Sequence, residues 1–250
     1  MKVIYYLIFL SIPLFFIFEC SQQESNPQNL GINTLTEAEK EGDWQLLFNG
    51  SSMTQWRGVG KENFPDKGWT IENGLLIVNK GGSDQAERGG DIITNKTYGS
   101  FDFKFDFRLT EKSNGGIKYF VKEYTEGQRT WAIGCEYQII DDSHQDLTND
   151  KDKKRMLASL YELFEPQNRP LRPIGEWNQG RILVEGKHVE HWLNGTRVLA
   201  YERGSEQFER ARLASKFDKY PEFGILEKGH ILLQDHGDEV QFRNLNIKEL

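Results

Sequence analysis

Apolar and polar residues alternate through most of this chain from residue 42 onward. In SFDFKFDFRL, Phe101, Phe103, Phe105, Phe107 and Leu109 alternate with polar residues, a period of two that predicts a strand with one buried and one wet face. WTIENGLLIVN reads as a hairpin about Asn73-Gly74, a dipeptide suited to the left-handed backbone of a tight turn. RILVEGKHVEHWLNGTRVLAYE predicts three strands joined at Gly186 and Asn194-Gly195, and HILLQDHGDEVQFRNLNIKEL two more about Gly237. Only RMLASLYELF and SEQFERARLASKF carry helix-like patterns, both as short excursions. Many strands, short turns and few helices predict an all-β fold: an antiparallel β-sandwich with one or two short helices.

The first twenty residues follow a different pattern. Lys2 precedes an apolar run from Val3 to Phe18 that is short for a transmembrane span. The run ends at Cys20 and gives way to the polar SQQESNPQN. This resembles a bacterial lipoprotein signal in which Cys20 would carry the lipid, although Glu19 departs from the small residue usual at that point. The expectation is an exported protein, periplasmic or at the outer membrane of a bacterium, held to the membrane by a lipid anchor. Residues 21–41 read as a polar tether with one helical turn in LTEAEKEG, and residues 42–250 as one domain. With Cys20 so used, Cys135 has no disulfide partner, and its apolar strand marks it as a buried structural thiol.

Composition narrows the chemistry. The net charge of -7, with no basic stretch against it, argues against a nucleic-acid partner. No Gly-rich phosphate loop follows a strand and opens a helix, so nucleotide binding is not expected. GxSxG, CxxC and HExxH are also absent.

Taken in order, WQLLFNG, W..ENGLL, GGDIIT..YGSFDFKFDFRL, GGIKY, CEYQIIDD, LYELF.P, GEWNQGRI, VEHWLNG and GHILLQDHGDEVQFRNLNI resemble the 3-keto-disaccharide hydrolase family. The resemblance spans residues 42–250 and implies a concanavalin A-like jelly roll. It also implies cleavage of sugars already oxidised to a ketone at C3, so a carbohydrate is the expected partner. A C3 ketone acidifies the C2 proton; a base then removes it, the C1 substituent leaves, and water can add back. Such a site needs a base near C2, a donor for the enolate oxygen and an acid for the leaving group. Because the chain lacks a dinucleotide fingerprint, a separate oxidoreductase must form the ketone.

Strand phase sorts the candidate residues. In CEYQIIDDSHQD, Tyr137 and Ile139 would face the core, leaving Glu136 and Gln138 outside. In GGIKYFV, Ile117, Tyr119 and Val121 would be core, with Lys118 and Phe120 outside; in GHILLQDHGD, Gln234 and His236 share one side. If these strands line one sheet, Lys118, Glu136, Gln138, Gln234 and His236 converge in a groove. His236 is the preferred proton-transfer residue because imidazole titrates nearest neutrality; a turn histidine beside Gly237 is the alternative. Glu136 is a base or a hydroxyl ligand, against a merely solvated strand glutamate. Lys118 is a candidate to stabilise an enolate, standing in for the arginine that the family often shows where this chain has Phe120.

Asp141, Asp142, His144 and Asp146 have the density of a metal site but no calcium-loop or zinc spacing. A solvated loop capping backbone amides is the alternative; no cofactor is assigned, and a divalent cation is the one option left open. Asp141 is expected to contact sugar from the rim. Tyr161 and Trp177 are candidate walls that stack on sugar rings, a core position being the alternative for tryptophan. A non-catalytic lectin-like module on the same sandwich is the rival function. A laminarinase-type glycosidase would need two carboxylates on one strand face, where CEYQIID offers Glu136 and Gln138.

Overall fold

Two antiparallel sheets face each other across an aromatic core. The computed structural model describes Met1 and residues 31–81, 88–144 and 148–250. The apolar leader, Cys20, the first part of the tether and Asp146 lie outside the described residues, as does the side chain of His144. The larger, eight-stranded sheet runs in the order β11 (Thr196–Glu202), β10 (His188–Leu193), β9 (Trp177–Glu185), β6 (Phe101–Leu109), β13 (Val240–Glu249), β4 (Leu75–Val78) and β3 (Trp69–Glu72), and β1 (Gln45–Leu46) also pairs with β13. The five-stranded sheet runs β2 (Trp56–Gly58), β5 (Ile92–Thr94), β12 (His230–Leu233), β7 (Asn114–Glu126) and β8 (Arg129–Ile140). The predicted hairpins form, with Asn73, Gly74, Asn194 and Gly195 all at positive φ. This is the two-layered antiparallel sandwich expected of a concanavalin A-like jelly roll.

The phenylalanine ladder of β6 is the centre of the packing. Phe101, Phe103, Phe105 and Phe107 are all buried on the inner face. The other face is closed rather than wet: Asp102 receives Arg181 at 2.6 and 2.7 Å, and Asp106 receives Arg243 at 3.1 Å. Pairing lets both aspartates sit buried, since a charge leaves water only with a partner. Across the gap, Tyr137 meets Phe105 edge-on, with ring centres 5.2 Å apart at 89°. Nearby a buried chain of hydrogen bonds crosses the core. Tyr201 and Tyr119 hydroxyls lie 2.6 Å apart, Tyr119 lies 2.7 Å from His191 Nε2, and His191 Nδ1 lies 3.0 Å from the Ala158 carbonyl. The carbonyl can only accept, so Nδ1 carries the proton and Nε2 accepts from Tyr119. Burial keeps His191 neutral, with its pKa lowered to about 4. Cys135 is buried in the same region, its thiol pushed up to about 12 by burial.

Three expectations are corrected. Phe120, expected on the outer face of β7, is buried in the core at φ 50, and the register shifts between Tyr119 and Lys122. This β-bulge sends Tyr119 and Phe120 inward together and turns Val121 outward, where it packs with Ile93, Ala132 and Leu232. The Arg203 guanidinium stacks 3.6 Å from the Phe120 ring centre and covers it. RMLASLYELF is not helical: a short helix, α2 (Asp150–Lys153), precedes it, and the segment itself forms turns with bridges Tyr137↔Leu160 and Leu160↔Phe164. SEQFERARLASKF does hold a helix, α3 (Glu206–Leu213), capped by Ser205. The tether beyond Gly31 is part of the fold. Thr36 and Glu39 form a capping box on α1 (Glu37–Glu41), and Asn33 exchanges hydrogen bonds with Asn244 at 2.6 and 2.8 Å.

Gly180 pairs with Phe105, and a Cβ there would stand 2.1 Å from Phe105 Cε2. Gly180→Ala is expected to destabilise the sandwich by about 1–3 kcal/mol through overpacking, read as a lower midpoint in denaturant; an unchanged midpoint would show the ring free to move.

Candidate active site

The outer face of the five-stranded sheet forms the floor of a groove. Lys118 and Glu136 are register partners on β7 and β8, and Gly116 and Gln138 form a neighbouring pair. Because Ile117, Tyr119, Cys135 and Tyr137 are locked into the core, strand alternation turns these four outward. Gly116 leaves the space in which Glu136 lies: a Cβ there would stand 2.5 Å from Glu136 Oε1.

The segment between α2 and β9 supplies one wall. The Tyr161 N–H donates to the Glu136 carbonyl at 3.0 Å, the Gln138 N–H to the Ser159 carbonyl at 3.2 Å, and the Ala158 N–H to the Gln138 carbonyl at 2.8 Å. These bonds run the segment along the free edge of β8 and set Tyr161 beside Glu136. The turn after α3 brings Lys216 over the groove, its ammonium 4.4 Å from the Tyr161 ring centre.

Charge is concentrated where these parts meet. Glu136 is 5% exposed, and burial raises its carboxyl above the usual 4.5 against the opposing pull of Lys118 and Lys216. Burial also works against the charge on Lys118. Asp91, 3.5 Å away, and Glu136 outweigh it, and the Lys118 pKa stands above the usual lysine value. Asp91 is itself held by the Asp235 N–H at 3.0 Å. Lys216 moves the other way. Partial desolvation of its ammonium, with Lys118 and Arg155 adding repulsion, lowers its pKa in spite of Glu136 and Glu162. One buried carboxylate thus sits between a cation that holds its proton firmly and one that gives it up more readily.

Beyond Glu136 the groove narrows into a cavity of about 130 Å³ lined by Asn114, Gln138, Tyr161, Gln234 and His236 among others. Gln138 Nε2 donates to Asn114 Oδ1 at 3.1 Å, and Asn114 Nδ2 lies 3.4 Å from His236 Nε2. Gln138 Oε1 is buried with no donor facing it. A buried acceptor left open inside a cavity is suited to a ligand hydroxyl.

The domain family described as 3-keto-α-glucoside-1,2-lyase-like matches residues 43–248. The chain belongs to this family. A curated relative, the 3-keto-disaccharide hydrolase of Bacteroides thetaiotaomicron, is 35% identical over 82% of this chain and 77% of that one. Among solved structures, an inferred glycosyl hydrolase from Parabacteroides distasonis is 32% identical with a TM-score of 0.76, matching 88% of this chain and 100% of that one. A second from the same organism, 24% identical with a TM-score of 0.58 over 83% of this chain and 99% of that one, shares the fold.

In this lyase-like domain the structure gathers Lys118, Glu136, Gln138, Tyr161, Gln234 and His236 around one cavity. Their places within it differ from the expectation in one respect: His236 is exposed at the mouth, whereas Glu136 is buried at the centre. Two residues expected to bind sugar lie elsewhere. Trp177 is on β9 in the other sheet, its ring beneath Arg243 at 4.1 Å and Arg108 at 4.9 Å. Asp141 is buried at the end of β8, where it accepts the Lys112 N–H at 2.8 Å and the Ser143 N–H at 3.0 Å and lines a separate cavity with Asp142 and Arg169. Asp142 accepts the Leu157 N–H at 2.9 Å and pairs with Arg169, so both aspartates cap and tie the loop. Lys216, Asn114 and Asp91 were missed. Asn114 opens the strand that carries Lys118 and could have been found by extending its alternation; Lys216 comes from a distant turn, with no local signal.

Gly116→Ala tests the recess under Glu136. The obstructed atom is the far end of a flexible side chain, so the fold should tolerate the methyl while the carboxylate shifts. Turnover is expected to fall about 10–100-fold for a displacement near 1 Å, with Tm nearly unchanged. Full activity would show that the recess does not position Glu136.

Proposed function

We propose that this domain, an enzyme of the glycosyl-hydrolase type, cleaves glycosides whose sugar carries a ketone at C3. The observation that carries this reading is Glu136, a buried carboxylate of raised pKa flanked by two lysines on the floor of a groove. Membership of the family and the name of the Bacteroides relative support the same substrate class.

In the proposed sequence the sugar lies with C2 over Glu136. The carboxylate takes the C2 proton, and the C–H electrons pass into the C3 carbonyl to give an enolate. Lys118, paired with Asp91 and firmly protonated, sits beside Glu136 to meet the enolate oxygen. Collapse of the enolate forms the C1–C2 double bond and breaks the C1–O bond. Lys216, with its lowered pKa, gives a proton to the departing oxygen. Addition of water at C1 and return of a proton to C2 would complete hydrolysis, and no oxidant or reductant is consumed. Gln138, Asn114, Gln234 and His236 hold hydroxyl groups at the narrow end. The ketone itself must come from an oxidoreductase acting earlier on the same glycoside.

The test is aglycone release from a 3-keto glucoside and from its unoxidised parent. Release from the keto sugar alone is expected, and Glu136→Gln should lower it by about 10²–10⁴-fold, the usual worth of a general base. Turnover of the plain glucoside would overturn the reading, and binding without turnover would make the domain a lectin. The pH profile should be bell-shaped. The rate rises as Glu136 loses its proton, above the usual 4.5, and falls as Lys216 loses its own, below the usual 10.5. Lys216→Arg keeps the charge but puts there a guanidinium that does not give up its proton, so the rate should fall and the alkaline limb should disappear.

We propose in addition that Cys20 carries a lipid that holds the domain at a membrane, on the strength of the leader that ends there. Cys20→Ala should move the protein from the membrane to the soluble fraction of the producing cell; unchanged fractionation would remove the anchor.

A further inference from the structure

The groove continues past Glu136 in the other direction. Beyond Lys118 and Lys216 it broadens into a trough of about 860 Å³ that runs over Ala132 and Ile133 to Trp131 and Tyr220. That volume falls within the roughly 300–1,000 Å³ of small-molecule sites. In the proposed keto-glycoside chemistry the small cavity takes the sugar, so the trough is where the substituent on C1 would lie.

Its charge is the reverse of the molecule's. The chain carries 38 acidic and 31 basic side chains, yet the trough is lined by Lys61, Arg88, Lys118, Arg129, Lys216 and Lys219 against Asp91 and Glu126. These cations come from the loop after β2, the stretch before β5, strands β7 and β8, and the turn after α3, so no single basic run accounts for them.

Much of this positive charge is left without an opposing carboxylate. Asp91 is engaged by Lys118. Among the described residues, no carboxylate lies within ion-pair distance of Lys61, Arg129, Lys216 or Lys219. Like charges gathered on one concave surface repel each other and raise the local concentration of anions. An aromatic surface lies among them: Trp131 stacks on Tyr124, with ring centres 6.0 Å apart at 17°, and Arg129 stands 5.7 Å from the Trp131 ring centre.

We infer that the wide end of the groove binds a leaving group that carries an oxyanion, a carboxylate, sulfate or phosphate, attached to the sugar through C1. The inference rests on the proposed keto-glycoside chemistry for the orientation of the substrate; the anion site itself is independent of turnover. Arg129 and Lys219 are its specificity-determining residues, set away from Glu136 at the outer part of the trough. The narrow end selects the sugar and the wide end selects the charge of what is removed from it.

Binding and turnover separate the two claims. Two 3-keto glucosides are compared, one with a 4-carboxyphenyl and one with a 4-(hydroxymethyl)phenyl aglycone, so that charge is the main difference. Calorimetric titration of the Glu136→Gln protein measures affinity without cleavage. At low salt the carboxylated glycoside is expected to bind about 10-fold more tightly, and the difference should shrink to about twofold near 0.5 M salt as screening sets in. Arg129→Gln/Lys219→Gln in the same background should abolish most of the preference. Equal affinities at low salt, or a preference that survives the double substitution, would overturn the inference. In the wild-type protein, failure to cleave either glycoside would instead count against the keto-sugar chemistry and leave the binding result to decide the anion site. The titrations are accompanied by thermal melts, so loss of fold is distinguished from loss of charge.

Discussion

Tyr137 stands edge-on to Phe105, and that contact between the sheets sets the phase of β8. A strand has two faces and a period of two, so one fixed inward side chain determines the direction of its neighbours. With Tyr137 inside, Glu136 and Gln138 can only point to the groove. A slip of one residue would bury both polar groups against the phenylalanine ladder and turn Tyr137 to solvent. Gly180 opposite Phe105 permits the ring to lie where it does, so the position of the groove's central carboxylate depends on a space left open in the far sheet.

The electrostatics of the groove follow from that placement. A carboxylate forced to so buried a position loses water, and its proton becomes harder to remove. The two lysines offset part of this cost, but they do so from unequal surroundings. Lys118 has Asp91 as well as Glu136, whereas Lys216 arrives on a turn and meets an aromatic ring. Unequal support gives three neighbouring groups three different proton affinities, and such separation is what an acid–base sequence requires.

Strand phase made much of this legible in advance. The sandwich, its hairpins and the grouping of Lys118, Glu136, Gln138, Gln234 and His236 all rest on alternation, which is local and needs no knowledge of distant contacts. Where a local rule failed, a tertiary contact had prevailed. Phe120 adopts a left-handed backbone that no sequence preference signals; the deep aromatic site and the guanidinium of Arg203 above the ring hold it there. RMLASLYELF has enough apolar residues for a helix, but β8 offers an open edge, and edge hydrogen bonds with turns took the segment instead. For Trp177 the period identifies a face without identifying the sheet, and the sheet proved to be the other one. Lys216 was invisible because its place in the groove depends on where a remote helix ends.

Cys135 has a further consequence. It is the only cysteine in the sequence besides Cys20, and burial holds its sulfur almost wholly as the unreactive thiol. The fold from Gly31 onward therefore contains no disulfide to form, shuffle or lose. Its stability owes nothing to the thiol–disulfide balance of its surroundings, so the sandwich needs neither an oxidant to mature nor a reductant to stay active.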